Sequence, residues 1–226
     1  MELCYGENLS KVLVVAAHPD DEVLGCGGTI AKHVHHGDKV QVMFMADGFR
    51  SRVSGRKRDN LAEEASRILG CEKPILLNLP DNQMDVLPML DIVQKIERVV
   101  NDFQPEIVYT HHCGDLNIDH QLTHKAVMTA CRPLPGCCVT EIYSFEVLSA
   151  THWQSFSMGS VFSPNYFIDV SNFINQKIEA LHCYDNEMKE LPHARSYESV
   201  ENLAKFRGNT IGVKNAEAFC VERIVK

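Results

Sequence analysis

The chain has 226 residues, 45% of them hydrophobic and 23% charged, with a formal net charge of −8. That length accommodates one α/β domain with a sizeable core, and the composition is that of an ordinary globular protein. The acidic balance argues against a general nucleic-acid binder, whose footprint is a basic surface, and no apolar stretch reaches the roughly 18–20 residues needed to span a bilayer.

The opening stretch MELCYGENLSKVLVVAAH holds too short an apolar run for a signal peptide and passes directly into an acidic cluster. A cytoplasmic location is therefore expected. The nine cysteines are scattered, with only Cys137 and Cys138 adjacent and no Cys-x-x-Cys pair. Reduced, buried thiols are expected rather than a disulfide framework or a thiolate zinc site.

Taken in order, KVLVVAAH (11–18) reads as a first buried strand, followed by a turn and a helix over 22–37 that ends at Gly37. A second strand is predicted over 39–48 and a second helix over 54–70, with Leu61, Ala65, Ile68 and Leu69 on one face. A third strand (74–81), a helix (87–103) and a fourth strand (106–112) follow. The second half is less regular: a helix over 120–132, a strand over 139–148, and helices near 171–185 and 197–208. Such alternation predicts an α/β domain spanning 1–226, with a mostly parallel sheet and helices on both faces.

In open parallel sheets, ligands bind outside the carboxyl ends of the strands. The two most polar loops, HPDDE (18–22) and HHCGDLNIDH (111–120), both leave such ends. Three adjacent carboxylates repel one another and are costly to desolvate, so a cation is expected among them. His18 and Asp21, with a histidine from the second loop, form a two-histidine, one-carboxylate set. That set leaves coordination positions open for water, which is the pattern of a catalytic site; a structural zinc would be closed by four ligands. Asp20 remains beside it as a carboxylate able to take a proton from water. The bland alternative is a solvated turn with acids at a helix N-terminus, where they are favourable in any case.

The segment AHPDDEVLGCGGT (17–29) resembles the signature of the LmbE-like, or PIG-L, family of zinc-dependent N-deacetylases. The resemblance extends to ADG (46–48), LPDNQMD (79–85), GDLNIDHQ (114–121), SFEVLSATHW (145–153) and RGNTIGVKNAEAF (207–219). It implies a Rossmann-like fold. It also implies that His18, Asp21 and His120 are the metal ligands and that Asp20 is the general base. The metal implied is zinc (Zn2+), with ferrous iron (Fe2+) indistinguishable by ligand type. Members with His-Pro-Asp-His carry a histidine where this chain has Asn117, so Asn117 is expected to hold the oxyanion without acting as an acid. Asp119 is expected to orient a ligand histidine. The implied substrate is a small N-acetylated sugar or sugar conjugate.

Other residues carry weaker signals. Arg58, from a basic stretch that includes Arg50, Arg52 and Arg56, is a candidate substrate contact, as are Asp47, Asp85 and His193; His193 is also a candidate proton donor. Gly25, Gly27 and Gly28 are read as close packing beneath the site, because GCGGT lacks the dinucleotide fingerprint. His111 and His112 are read as polar strand-end residues, His33, His35 and His36 as an exposed helix face, and Trp153 and Glu146 as core. Two rival functions stand beside deacetylation: a non-haem iron enzyme built on the same ligand triad, and a non-catalytic nucleotide-binding module. The sequence leaves monomer and homo-oligomer open.

Overall fold

The computed structural model describes residues 9–46, 58–155, 157 and 159–226, with residues 58 and 59 by backbone alone. Among the described residues, seven strands form one sheet: β1 (Lys11–Ala16), β2 (Lys39–Ala46), β3 (Ile75–Leu79), β4 (Ile107–His111), β5 (Glu141–Phe145), β6 (Tyr166–Asp169) and β7 (Ala216–Ile224). Six α-helices of the same described residues pack on it: α1 (Asp21–His35), α2 (Arg58–Leu69), α3 (Met89–Phe103), α4 (Ile118–Ala130), α5 (Ile174–His182) and α6 (Tyr197–Ile211).

The strand order is β3-β2-β1-β4-β5-β7-β6. The first five strands are mutually parallel, and β7 runs antiparallel to both β5 and β6. Neither β6 nor β7 is anticipated by the sequence reading, so the sheet is mixed at one edge. The crossover direction reverses between β1 and β4, which makes the mouth between their carboxyl ends the switch point of the sheet.

β1 shows why the sheet is central. Val12, Val14 and Ala16 join a core with α1, α2 and α5, while Leu13 and Val15 join a second core with α3 and α4. A strand buried on both faces reads as a continuous apolar run, as KVLVVA does.

The helix after β1 is built in two pieces. Cys26 has non-helical angles, φ −147° and ψ 24°, that break α1 after its first turn. Glu217 of β7 repairs the break, its carboxylate accepting from the backbone N–H groups of Gly28 (2.9 Å) and Thr29 (2.6 Å). Lys177 of α5 donates to Glu217 (2.6 Å) and to the carbonyl oxygen of Leu24 (2.9 Å). Close packing does require the glycines here: a Cβ on Gly25 would lie 2.3 Å from the Phe145 ring, and one on Gly28 would lie 2.9 Å from Val170. The eight cysteines among the described residues are free thiols. Among the same residues, no helix is long and apolar enough to cross a membrane.

Candidate metal centre and active site

The loop after β1 turns sharply. Asp20 adopts φ 124° and ψ −31°, a backbone region that L-residues avoid and that is sustained only by surrounding structure. Here that structure is Glu22, whose carboxylate accepts the Asp20 backbone N–H at 3.0 Å. Glu22 is buried and also accepts from the Tyr184 hydroxyl at 2.8 Å. Burial pushes its pKa up to about 8 despite those bonds. The turn sends His18 and Asp21 inward, with the Asp21 carboxylate accepting the His18 backbone N–H at 3.0 Å.

The second loop leaves β4, the neighbour of β1, and opens α4. Asn117 caps that helix, its side-chain oxygen accepting from the Asp119 N–H at 2.8 Å. One turn into α4, His120 points back toward the first loop. Its Nε2 lies 3.1 Å from Asp21 Oδ2, and the His18 and His120 rings are 5.4 Å apart between centroids. The two loops therefore meet, and the nearest ligand atoms of His18, Asp21 and His120 all lie within 4.8 Å of one another.

Among the described residues, two further triplets satisfy the same distance: His111 with Asp115 and His120, and His18 with Asp81 and Asp119. Their donor chemistry is less suitable. His111 Nε2 already accepts the Ala17 backbone N–H at 2.8 Å, so its lone pair is occupied. Both oxygens of Asp119 are engaged by backbone N–H groups, from Asn82 at 2.7 Å and Met84 at 3.1 Å. Asp21 Oδ1 is buried without a hydrogen-bond partner, and His120 Nε2 faces the other oxygen of that carboxylate at 3.1 Å without a well-formed hydrogen bond. Buried polar atoms of that kind are rare and call for an explanation such as an ion. The first triplet fits a divalent cation.

The other nitrogen of each imidazole is oriented by a carboxylate. His18 Nε2 lies 3.1 Å from Asp119 Oδ2 and 3.2 Å from Asp81 Oδ1, leaving Nδ1 beside Asp21 at 3.2 Å. His120 Nδ1 lies 3.1 Å from Asp115 Oδ2. Asp115 is held in turn by the Asn117 N–H at 3.0 Å and the Thr151 hydroxyl at 2.8 Å. Carboxylate support of this kind is the usual environment of a metal-binding histidine.

The electrostatics agree. Burial opposes protonation of His120, but the charges of Asp21 and Asp115 outweigh it and push its pKa up to about 9. Burial likewise opposes protonation of His18, and bonds to Asp119, Asp21 and Asp81 raise its pKa all the same. A crowd of buried carboxylates thus demands positive charge, which protons supply when no metal does. His111 goes the other way: burial and then the charge of His120 hold it well below its ordinary value, so it is neutral.

Beside this cluster lies a cavity of about 160 Å³, lined by His18, Asp20, Asp81, Asn82, Asn117, Glu187 and Arg195. Arg195 donates from Nη1 to Asp20 Oδ2 at 2.8 Å and from Nε to the Ser149 hydroxyl at 2.9 Å.

Against this geometry, residues 13–131 match the family described as GlcNAc-PI de-N-acetylase, PIG-L. The chain belongs to the PIG-L family. It is similar to a protein of Escherichia coli K12 described as the uncharacterized deacetylase YaiS, 33% identical over 150 residues, or 64% of this chain and 77% of that one. It is also 25% identical to the diacetylchitobiose deacetylase of Thermococcus kodakarensis, over 93% of this chain and 82% of the other. Among solved structures, GalB, a 4-carboxy-2-hydroxymuconate hydratase from Pseudomonas putida, superposes with a TM-score of 0.77 at 22% identity, covering 96% of this chain and 99% of GalB. The PIG-L fold is therefore clear, and the fold alone does not fix the reaction. Membership in a deacetylase family favours amide hydrolysis over the iron-enzyme and nucleotide-binding alternatives.

The structure sorts the remaining sequence expectations. Asn117 lines the cavity, but its amide oxygen is used in capping and its Nδ2 lies 3.3 Å from Asn82 Oδ1. His193 accepts the Arg195 backbone N–H at 3.0 Å, faces the Trp153 ring, and is not among the cavity-lining residues. Asp85 is exposed and away from the cavity. Asp47, Arg50, Arg52 and Arg56 lie outside the described residues; Arg58 begins α2, and its side chain is likewise undescribed.

Three readings are corrected. His33 is half-buried between Asp38 and the Tyr109 hydroxyl, not part of an exposed face. Trp153 is 54% exposed, not core. His111 is no generic strand end: it stacks on His120 with centroids 3.9 Å apart. Asp81, Arg195 and Ser149 were missed altogether. LPDNQMD carried a signal for Asp81 and SFEVLSATHW one for Ser149; nothing in the sequence marks Arg195.

Proposed function

We propose that this protein removes the acetyl group from an N-acetylated amino sugar, with His18, Asp21 and His120 holding a divalent ion, zinc in the first instance. The observation that carries this reading is the convergence of those three buried ligands beside a cavity whose wall holds His18 and Asp20. Held by His18, Asp21 and His120, a divalent ion would supply Lewis acidity to the scissile carbonyl and to the attacking water.

The chain's own residues do the rest. Asp20, buried and fixed by its turn, takes a proton from the water as the water oxygen bonds to the carbonyl carbon. The same carboxyl then gives that proton to the leaving nitrogen as the carbon–nitrogen bond breaks. Acetate and a free amine result. Asp119 and Asp115 fix the two imidazoles, and Asp81 adds a second acceptor at His18. Similarity to a diacetylchitobiose deacetylase supports a small glycoside as substrate.

Acetate release from N-acetylglucosamine and N,N'-diacetylchitobiose tests the proposal. Release should stop on chelation and return when zinc is added back, with ferrous iron as a parallel arm. A metal-replete protein that frees no acetate from a broad panel of N-acetylated sugars would overturn it.

A further inference from the structure

A second cavity, of about 390 Å³, opens on the face of the sheet that carries α1. It has more than twice the volume of the cavity beside the metal centre and shares no lining residue with it. Ile107 and Glu141 on its wall are the first residues of β4 and β5, whereas the loops of the metal centre leave the carboxyl ends of β1 and β4. The second half of α1, β6 and the last residue of α6 bound it on the other sides. Its volume falls in the roughly 300–1,000 Å³ range of small-molecule sites, and the deacetylation chemistry uses none of its walls.

One wall is aromatic. Tyr109 and Tyr166 line the cavity and Tyr143 bridges them, its ring stacking on Tyr109 at 5.4 Å and on Tyr166 at 4.6 Å between centroids. Tyr166 is 36% exposed, so the stack ends in a ring that a ligand can reach. The polar groups are oriented as well. His33 Nδ1 lies 2.6 Å from Asp38 Oδ2, and its Nε2 lies 3.0 Å from the Tyr109 hydroxyl. Burial lowers the His33 pKa, so the ring is neutral at neutral pH. A carboxylate only accepts; Nδ1 therefore holds the proton, Nε2 accepts from the Tyr109 hydroxyl, and the Tyr109 oxygen keeps accepting capacity. Thr29 also lines the cavity; it is 1% exposed, and its buried hydroxyl has no hydrogen-bond partner. Such groups are rare and call for an explanation. The charges divide unevenly. Glu141 is paired with Lys226 and accepts the Tyr143 hydroxyl, and the Asp169 carboxylate accepts the Ser171 N–H and hydroxyl. Lys32 has no carboxylate partner among the described residues; its Nζ donates to the Asp169 carbonyl oxygen at 3.0 Å, which leaves two of its three hydrogens.

We propose that this cavity is a second ligand site, for a planar heteroaromatic ring that carries an anionic group. The ring packs against the tyrosine stack. Its edge exchanges hydrogen bonds with the Thr29 hydroxyl and the Tyr109 oxygen, and its anion meets Lys32, where a charge-assisted bond is stronger than a neutral one. A plain hydrocarbon would fill the same volume and leave Thr29 and Lys32 unanswered. Two sources share the required chemistry: a nucleoside monophosphate, and a heteroaromatic carboxylate. No metal takes part, and the site stands apart from the deacetylase reading.

Isothermal titration calorimetry of the full chain tests this, with uridine 5'-monophosphate, adenosine 5'-monophosphate and indole-3-acetate as probes, before and after chelation of metal. Saturable binding of at least one probe that survives chelation is expected, and the probe that binds tightest identifies the source. Tyr166→Ala should weaken it by about 5- to 150-fold, the effect of losing one stacking ring. Thr29→Val should weaken it by about 2- to 10-fold with no loss of thermal stability, because a hydroxyl without a partner contributes nothing to the unliganded fold. Lys32→Gln should weaken it by about tenfold or more and flatten its salt dependence. The proposal is overturned if no probe gives a saturable heat up to about 1 mM, if chelation abolishes binding and so places the ligand at the metal centre, or if Thr29→Val and Lys32→Gln both bind as wild type does. Thr29→Val and Lys32→Gln carry the test should Tyr166→Ala fail to fold. None of these readouts is turnover, so a failure of the deacetylase reading leaves the outcome standing.

Discussion

His111 Nε2 accepts a hydrogen bond from the backbone N–H of Ala17 at 2.8 Å, across the boundary between β4 and β1. This bond locks the first residue of the loop that carries His18, Asp20 and Asp21. On its other side the His111 ring stacks on His120. One neutral imidazole thus ties together the two loops that build the site without offering a free lone pair of its own.

His111→Phe tests this relationship. The ring packing survives, but the Ala17 N–H is left buried and unpaired, at about 1–3 kcal/mol. Metal affinity should fall by about 10–100-fold, as for other groups that orient metal ligands. Denaturant unfolding and metal titration measure the two effects. Unchanged metal affinity would show that the His111 bond is not needed to set the His18 loop.

His120→Ala and Asp20→Asn separate metal binding from proton transfer. An ion that binds only the folded protein stabilises it by about 2.7 kcal/mol at 100 times its dissociation constant. Zinc should therefore raise the unfolding temperature of wild type and Asp20→Asn alike, and chelation should reverse it. His120→Ala should show no zinc-dependent rise. Asp20→Asn should keep its metal and lose about 10²–10⁴ of its turnover. A His120→Ala variant still stabilised by zinc would place the third ligand elsewhere.

How far the sequence alone could reach follows from where each signal resides. Residues 18–22 and 114–121 are short, local and chemically dense, so the proposed ligand set and Asp20 could be named from them through the family resemblance. Strands β1 to β5 are legible because each is an apolar run between helical patterns. β7 is not: AEAFCVERI mixes polar and apolar residues, and its Glu217 is buried against Lys177 of α5 and the Gly28 and Thr29 N–H groups, all distant in the chain. Arg195 lies 175 residues from Asp20 in the chain, on a loop with no periodicity at all. Such partners are created by topology, and one sequence holds no record of the pairing. His111 was visible as a residue but not as a neighbour, since its role depends on β4 lying beside β1.

The buried pair of Glu146 and Arg207 gives a pH prediction. Arg207 donates to both oxygens of Glu146, at 2.8 Å and 2.7 Å, and His152 Nε2 lies 2.9 Å from the same carboxylate. Burial works against the Glu146 charge, but the bonds from His152 and Arg207 outweigh it and hold its pKa below the ordinary 4.5. The folded protein therefore binds fewer protons here than the unfolded chain at acid pH. The stability gained is fully present above about pH 4.5 and is lost as pH falls through the depressed value. Glu146→Gln should cost about 3 kcal/mol at neutral pH by leaving Arg207 uncompensated, and the loss should shrink on acidification. Urea unfolding at a series of pH values measures it; a loss that grows toward low pH would contradict the assignment.

The staple across the break in α1 gives the last prediction. Lys177 and Glu217 are each only 4% exposed along their side chains and are paired at 2.6 Å. Between them they satisfy the Leu24 carbonyl and the Gly28 and Thr29 N–H groups, which the Cys26 conformation takes out of the helical ladder. Lys177→Met removes one partner and leaves a buried carboxylate, which costs about 3–5 kcal/mol. Glu217→Gln keeps an oxygen for one amide and loses the charge, so it should be milder. Because the broken segment follows directly from the turn bearing Asp20, Asp21 and Glu22, loosening it should also weaken metal binding. Thermal unfolding paired with metal titration of Lys177→Met checks both effects. A variant that loses stability but keeps wild-type metal affinity would confine the staple to folding, with the first turn of α1 held in place by the Glu22 and Arg195 contacts alone.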